Sequence, residues 1–548
     1  MAGRSQSITR LGEALVTQGG LGAMDRAKSL NRMGLDPDFV WDIVVVGGGA
    51  TGASIALDAA SRGYSVALIE RSDFGKGTSS RATKLVHGGV RYLAQGNISL
   101  VREALKERTL LRQNAPHLVR ELSFVVPCKN FFEKCWYRLG FWVYDWLAGA
   151  SGFHRARGLT SSECLKLAPG LSPQRGRSGV LYSDGQFDDS RLLISILQTA
   201  TEHGAAVVNY ANVEALSKDA SGRVHGVLFR DLERGDTYSL KSRCVINATG
   251  PFVDEVRRLD SNTNEPMVSA SQGVHIVLSR DFLRGDSAVI VPKTSDGRVL
   301  FLIPWHDHVV VGTTDTPIER PVEEPRAFKE EIDFLLSTAG QYLMHQPTLA
   351  DIQSVFTGIR PLVSNKGKGR NTAKLSRDHT IEVTPSGMIT ITGGKWTTAR
   401  HMAEDCVNRA ASLANLRHSP CITSTLPLHG YRSDKPHDGC NPSLDVYGSD
   451  RIALESLAAS APHYGKPLLD DWHQLREAEV VWAVRHEMAR TIEDVLARRC
   501  RLLFLDTRKA EIAAPAVAEI MARELHRGSD WVDQQLQDFH KLLESYRI

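Results

Sequence analysis

A β-branched run at 43–46 ends in Gly47-Gly48-Gly49-Ala50-Thr51-Gly52, small residues continue to Arg62, and a second apolar run over 65–69 stops at Glu70. Strand, glycine turn, helix and strand make a βαβ unit, which commits the chain to a parallel, layered α/β sheet. The turn also has a chemistry. N–H groups in the first turn of a helix lack intrahelical partners and sit at the positive end of the helix dipole, so they attract a pyrophosphate. Gly47 gives the tight turn, Gly49 the close approach of backbone to ligand, and Gly52 the contact between helix and strand, with Thr51 counted among the cofactor-binding residues of the turn. Glu70 falls where a carboxylate accepts hydrogen bonds from both ribose hydroxyls and repels a 2'-phosphate. The unit therefore reads as a dinucleotide site, with FAD and NAD both compatible.

Further strand-like runs fall at 224–229, 244–247, 274–278, 299–303, 309–311 and 388–392, with helical segments between them, which predicts an α/β fold with an added sheet. From about Cys421 the pattern changes, and 477–499 shows apolar residues at helical spacing with charges between them, which reads as a separate, mainly helical domain joined by a linker at 429–449. Residues 1–39 carry no apolar signal core and read as a poorly ordered extension, with a transit peptide as the alternative. The composition, 42% hydrophobic and 24% charged with a net charge of +3, is globular and gives no reason to expect a nucleic-acid partner. Eight scattered cysteines without a C-x-x-C pair suggest neither a zinc site nor a redox disulfide, and no metal is expected. The longest stretch free of Asp, Glu, Lys and Arg, 334–350, is too short to span a bilayer.

Two more glycine-containing junctions accompany the first. In VINATG (245–250) a strand leads into Ala248 and Gly250, which let backbone approach a cofactor. In ITGGKWTT (391–398) Gly394, Lys395, Trp396 and Thr397 precede a helix whose N-terminus would stabilise negative charge on a reduced flavin.

The segment TSSRATKLVHGGVRYL (78–93), together with the N-terminal βαβ unit, resembles the FAD-dependent glycerol-3-phosphate dehydrogenases of the aerobic, quinone-linked type. The resemblance continues through LYSDGQFDDSRL (181–192), INATGPFVD (246–254), QGVHIVL (272–278), IPWHDHVVVGTTD (303–315), TGIRPLV (357–363), SRDHTI (376–381) and GGKWTTAR (393–400), and covers nearly everything from Trp41 onward. It implies an FAD-dependent oxidoreductase domain at 40–420, in which an FAD-binding Rossmann-like part is interleaved with a substrate-binding mixed β-sheet part at about 96–180 and 262–360, and a C-terminal helical domain at 421–548. It places Glu70 at the adenosine ribose, Thr78, Ser79, Ser80, Lys84, Leu85 and His87 along the flavin side, and Val213 also at the cofactor. Arg91, Arg360, Arg377 and Lys395 fall in the motifs around the substrate, and His275 on the strand facing the flavin. The implied partners are sn-glycerol 3-phosphate, a membrane quinone and a membrane surface; a homodimer is also admitted. The implied place is the cytoplasmic side of an inner membrane, peripherally attached in the bacterial manner, in preference to a mitochondrion.

These roles suit the residue types. A phosphate monoester carries nearly two negative charges, and burying it requires permanent cations. Oxidising a secondary alcohol requires a base within hydrogen-bond reach of its oxygen; His275 is the first choice, with His87 and Tyr92 as alternates. Between Phe131 and Phe153, aromatic residues including Trp136, Trp142 and Trp146 alternate with Lys134 and Arg138, which suits a segment lying in a lipid interface; a packed core helix is the alternative. Two other functions compete: a flavin amine oxidase of the glycine oxidase kind, which needs a carboxylate clamp instead of phosphate cations, and a non-catalytic FAD-containing membrane partner.

Overall fold

The computed structural model describes residues 24–90, 93, 96–149, 152–261, 265–294, 297–363, 378–432, 442–470 and 475–548. Arg91, Tyr92 and Arg377 lie outside them. Within the expected N-terminal extension, α1 (Arg26–Gly34) is capped by the Asp25 side chain, which accepts from Lys28 N. Leu30 and Met33 join a core with Trp41 and Val44, and Arg26 pairs with the buried Asp231 at 2.7 Å. Residues 24–34 are therefore docked structure and not a poorly ordered extension, while 1–23 lie outside the described residues. An apolar helix face and a buried ion pair tie them down.

β1 (Val40–Val46) is central in an eight-stranded sheet, parallel to β2 (Val66–Ile69) on one side and to β3 (Thr237–Asn247) on the other. The strand Ile389–Gly393 extends the parallel set beyond β3. The run at 43–46 is apolar throughout because both faces are covered. Ile43 and Val45 pack with residues of α2 (Ala50–Ser61), of Asp189–Glu202 and of Ala399–Leu413. Val44 and Val46 pack on the opposite face with Leu30, Val227 and Phe229.

A second, ten-stranded mixed sheet takes its strands from 85–187 and 268–363. Its core strand β4 (Val268–Ser279) is antiparallel to both β5 (His308–Gly312) and β6 (Ile352–Val363). The register sets His275 opposite Gly312 and Phe356, and Ser271 opposite Arg360. Against this sheet lies α3 (Phe131–Ala148), started by the Asn130 side chain accepting from Glu133 N. Phe141 stacks on Tyr182 at 4.1 Å, and the Tyr144 hydroxyl donates to Asp184 at 2.7 Å. Only these two side chains of α3 are buried, while Phe132, Trp136 and Trp146 are 83%, 73% and 72% exposed. The aromatic segment is thus a helix with a thin packed edge and a broad apolar face turned outward.

Beyond residue 442 the described chain is helical, as expected, and it packs against the second sheet. Leu496, Leu502, Phe504 and Tyr546 share one core with Phe124, Tyr182, Val277 and Phe356 of the second sheet. The helical spacing over 477–499 is carried by two pieces: a helix that stops at His486 and, after Met488 at φ +52°, a wide turn at Asp494–Arg499. The break lets Glu487 meet Arg191 at 2.7 Å and brings Arg498 and Arg499 onto the fully buried Asp73 at 2.5 and 2.7 Å. Of the expected linker, 433–441 lies outside the described residues, while His429 is held by Glu202 at 2.5 Å and Asp450 at 2.6 Å. Among the described residues no helix is long and apolar enough to cross a membrane, and no group of three His, Cys, Asp or Glu is placed to hold a metal.

Candidate active site

A cavity of about 1290 Å³ takes its walls from both sheets and from α3. At the first sheet the βαβ turn forms a cradle that only glycine permits. Gly47 has φ +108°, and a Cβ there would stand 2.7 Å from the Ala248 carbonyl oxygen; a Cβ on Gly52 would stand 1.9 Å from the oxygen of Gly47. Gly49 caps α2 without a side chain, and Gly49 and Thr51 line the cavity, with Val213, Ala248 and Gly250 on the neighbouring walls. Gly52 itself is buried behind the turn, as a packing contact should be. The Glu70 carboxylate accepts from Gly48 N at 2.6 Å and Ser72 N at 2.9 Å. Burial pushes its pKa up, against the pull of those two donors. Carboxylate oxygens have further lone pairs to offer a ribose. The cradle, the acid and the volume fit a dinucleotide carrying a large ring.

The loop after β2 is laced to the rest of that wall. The Thr78 hydroxyl donates to Ile359 O at 2.5 Å, Ser79 Oγ accepts from Ala50 N at 2.9 Å, and Trp396 Nε1 donates to Ser79 O at 2.8 Å. His87 N donates to Thr397 Oγ1 at 3.3 Å. Thr78, Ser79, Leu85, His87, Gly394 and Thr397 all line the cavity, as do Lys395 and Trp396, and the helix Ala399–Leu413 starts directly after them. Ser80 and Lys84 are set behind the wall. Lys84 is fully buried, its Nζ 2.7 Å from both Asp189 Oδ2 and Ser80 O and facing the rings of Trp305, Phe356 and Phe504. Burial, with Arg501 beside it, pushes this ammonium down to about 7.

At the second sheet, His275 of β4 and Arg360 of β6 face the same cavity. Arg360 is half-buried, and its guanidinium donates to Gln272 O at 3.2 Å, Thr314 O at 2.9 Å and Thr313 Oγ1 at 3.2 Å, with Asp315 at 3.3 Å. A Cβ on Gly273 would collide with that guanidinium. The fork is therefore aimed before any ligand arrives. His275 is 2% exposed, stacks on Phe356 at 4.7 Å, and has Nε2 2.9 Å from Thr83 Oγ1. Burial first, then the charges of Lys84 and Arg360, hold its pKa well below the ordinary histidine value. The site thus pairs a neutral imidazole with a preset guanidinium beside a dinucleotide cradle. That arrangement suits proton abstraction from an anionic alcohol next to a redox ring.

The family model for FAD dependent oxidoreductases matches residues 42–404, and the model for the C-terminal domain of alpha-glycerophosphate oxidase matches 390–534. A probable mitochondrial glycerol-3-phosphate dehydrogenase of Dictyostelium discoideum is 38% identical over 92% of this chain and 84% of its own length. The chain belongs to the FAD-dependent glycerol-3-phosphate dehydrogenases. The mitochondrial relative from Rattus norvegicus is also 38% identical, over 89% of this chain and 71% of its own. The solved glycerol-3-phosphate dehydrogenase of Bacillus halodurans, complexed with FAD, superposes with a TM-score of 0.77 at 29% identity, covering 96% of this chain and 98% of that one. FAD is accordingly the cofactor of this dehydrogenase fold.

Of the expected site residues, the structure brings His275, Arg360, Lys395 and the flavin-side segment to one cavity, and it sets Ser80, Lys84 and Gly52 behind its wall. Thr83, Asp315, Asp189 and Arg501 are additions. Asp189 and Asp315 stand in quoted motifs, but nothing in the sequence tells which acids turn inward to pair with a buried cation.

Proposed function

We propose that this dehydrogenase oxidises sn-glycerol 3-phosphate to dihydroxyacetone phosphate and passes the electrons to a membrane quinone. The observation that carries the reading is the pairing of Arg360 with His275 on adjacent antiparallel strands, both facing the cavity of the glycine cradle. Bound FAD supplies the hydride acceptor. Arg360 and Lys395 supply the positive charge that takes the phosphate. Arg91 and Arg377 belong to the same reading through their motifs. His275, kept neutral by its surroundings, receives the hydroxyl proton, and the incoming dianion strengthens it as a base by offsetting Arg360.

In this reading α3 supports the acceptor and the location. Trp136 and Leu139 are exposed and also line the cavity, beside Gly140 and Phe141. A helix that offers an apolar, aromatic face and walls the redox cavity fits peripheral attachment to a lipid surface and entry of a lipid-soluble acceptor. Anaerobic addition of glycerol 3-phosphate to the yellow protein tests the reaction: the flavin absorbance bleaches if the reading holds. Bleaching by glycine or another amino acid instead would establish an amine oxidase, and no bleaching by any of them a non-catalytic flavoprotein.

A further inference from the structure

The proton path at His275 is more specific than a lone imidazole. Nδ1 is sealed from solvent, and among the described residues no group reaches it. A proton therefore arrives at the ring through Nε2, and the Thr83 hydroxyl already stands on that atom while itself lining the cavity. Thr83 is held by its neighbours in sequence. Asp189 Oδ2 accepts from Ala82 N at 3.1 Å and from Lys84 Nζ at 2.7 Å; its Oδ1 accepts from Arg501 Nη2 at 2.9 Å. Ser80 O accepts from the same Lys84 and Arg501 groups, at 2.7 and 2.9 Å. Lys84 takes φ +63°, a backbone conformation that a side-chain-bearing residue keeps only where its surroundings impose it. Ser80, Ala82 and Lys84 are thus fixed from below, and Thr83, held between Ala82 and Lys84, lines the cavity.

We propose that Thr83 relays the proton between the substrate hydroxyl and His275 Nε2, and that Asp189, gripped by Lys84 and by Arg501 of the C-terminal helices, is the positioning residue that holds it there. The inference rests on the reading of His275 as proton acceptor. As the C–H bond breaks, its electron pair leaves as hydride to the bound FAD. The substrate O–H proton passes to Thr83 Oγ, and the Thr83 proton passes to His275 Nε2, so the carbonyl product, one reduced flavin and one imidazolium balance the step. The C-terminal helices thereby act on the chemistry without touching the substrate.

The experiment compares Thr83→Val, Thr83→Ser and Asp189→Asn with the wild-type holoenzyme. Anaerobic flavin reduction by glycerol 3-phosphate is one readout, and the ¹⁵N signal of His275 in the flavin-free protein is the other. Thr83→Val is expected to keep its flavin and its KM within about threefold, and to slow flavin reduction about 100-fold or more, within the range of acid–base contributions. Thr83→Ser restores the rate, and the His275 Nε2 signal moves in the valine variant only. Asp189→Asn slows reduction in the wild-type background but adds little to Thr83→Val, as residues on one path do. Full speed in Thr83→Val, or an unmoved Nε2 signal, overturns the relay; equal Asp189→Asn losses in both backgrounds overturn the positioning role. If wild type fails to bleach, the function reading fails, and the histidine signal still decides whether Thr83 governs Nε2. If Asp189→Asn does not fold, the two Thr83 variants decide the relay.

Discussion

At the scale of single residues, the site is built from side chains whose charge is set before ligand arrives. Arg360 is ordered by four acceptors on β4 and the 313–315 turn, so Arg360→Ala should raise the KM for glycerol 3-phosphate about 30-fold or more with FAD retained, the loss of a charge-assisted contact of about 2–3 kcal/mol. Steady-state kinetics on the yellow variant measures it; an unchanged KM would remove Arg360 from the phosphate site. His275 carries a depressed pKa, so it stays neutral to a lower pH than a free histidine. Flavin reduction should hold through pH 6.5 and fall only on further acidification, and His275→Ala should lose reduction with flavin bound. A stopped-flow pH profile whose acid limb lay at pH 7 or above would contradict this. The types and motif positions of Arg360, Lys395 and His275 were readable in the sequence, because dianion binding and proton transfer each admit few residue types. The inward turn of Lys84 was not, since the same lysine suits a flavin contact equally well until its burial against Asp189 and three rings is seen.

At the scale of elements, periodicity located most strands and the βαβ unit, because apolar alternation and glycine turns are local signals. It could not show the break within 477–499 that delivers Arg498 and Arg499 to Asp73, an ion pair between residues remote in sequence. The α3 face was half legible: aromatic content showed it, but which side chains turn inward depended on Tyr182 and Asp184. With Trp142 and Trp146 63% and 72% exposed, replacing both by Ser should release the protein from liposomes without lowering Tm, because neither side chain supports the core. Co-sedimentation checks this, and undiminished liposome binding would refute the role of α3.

At the scale of the whole molecule, ion pairs and shared core weld the C-terminal helices to both sheets. His429 lies between Glu202 and Asp450, and hydrogen bonding to both, against the cost of burial, raises its pKa to about 10. A raised histidine stabilises fully below the unfolded value near 6.5 and loses that contribution as pH rises through 10. His429→Gln should therefore lower stability by about 2 kcal/mol at pH 6, with the gap to wild type closing toward pH 10 in denaturant melts. Expression of 1–420 alone should give insoluble protein, since Phe124, Tyr182 and Phe356 would lose their cover of Leu496, Phe504 and Tyr546; a soluble yellow fragment would show otherwise. The central strand β1 has a consequence for biosynthesis. Its partner β3 and the strand Ile389–Gly393 leave the ribosome long after it does, so a translating chain carries an unzipped parallel edge for most of its synthesis. Such a chain depends on chaperones holding the emerging polypeptide, and codon changes that stall translation between 250 and 389 should lower its yield more than stalls after 393.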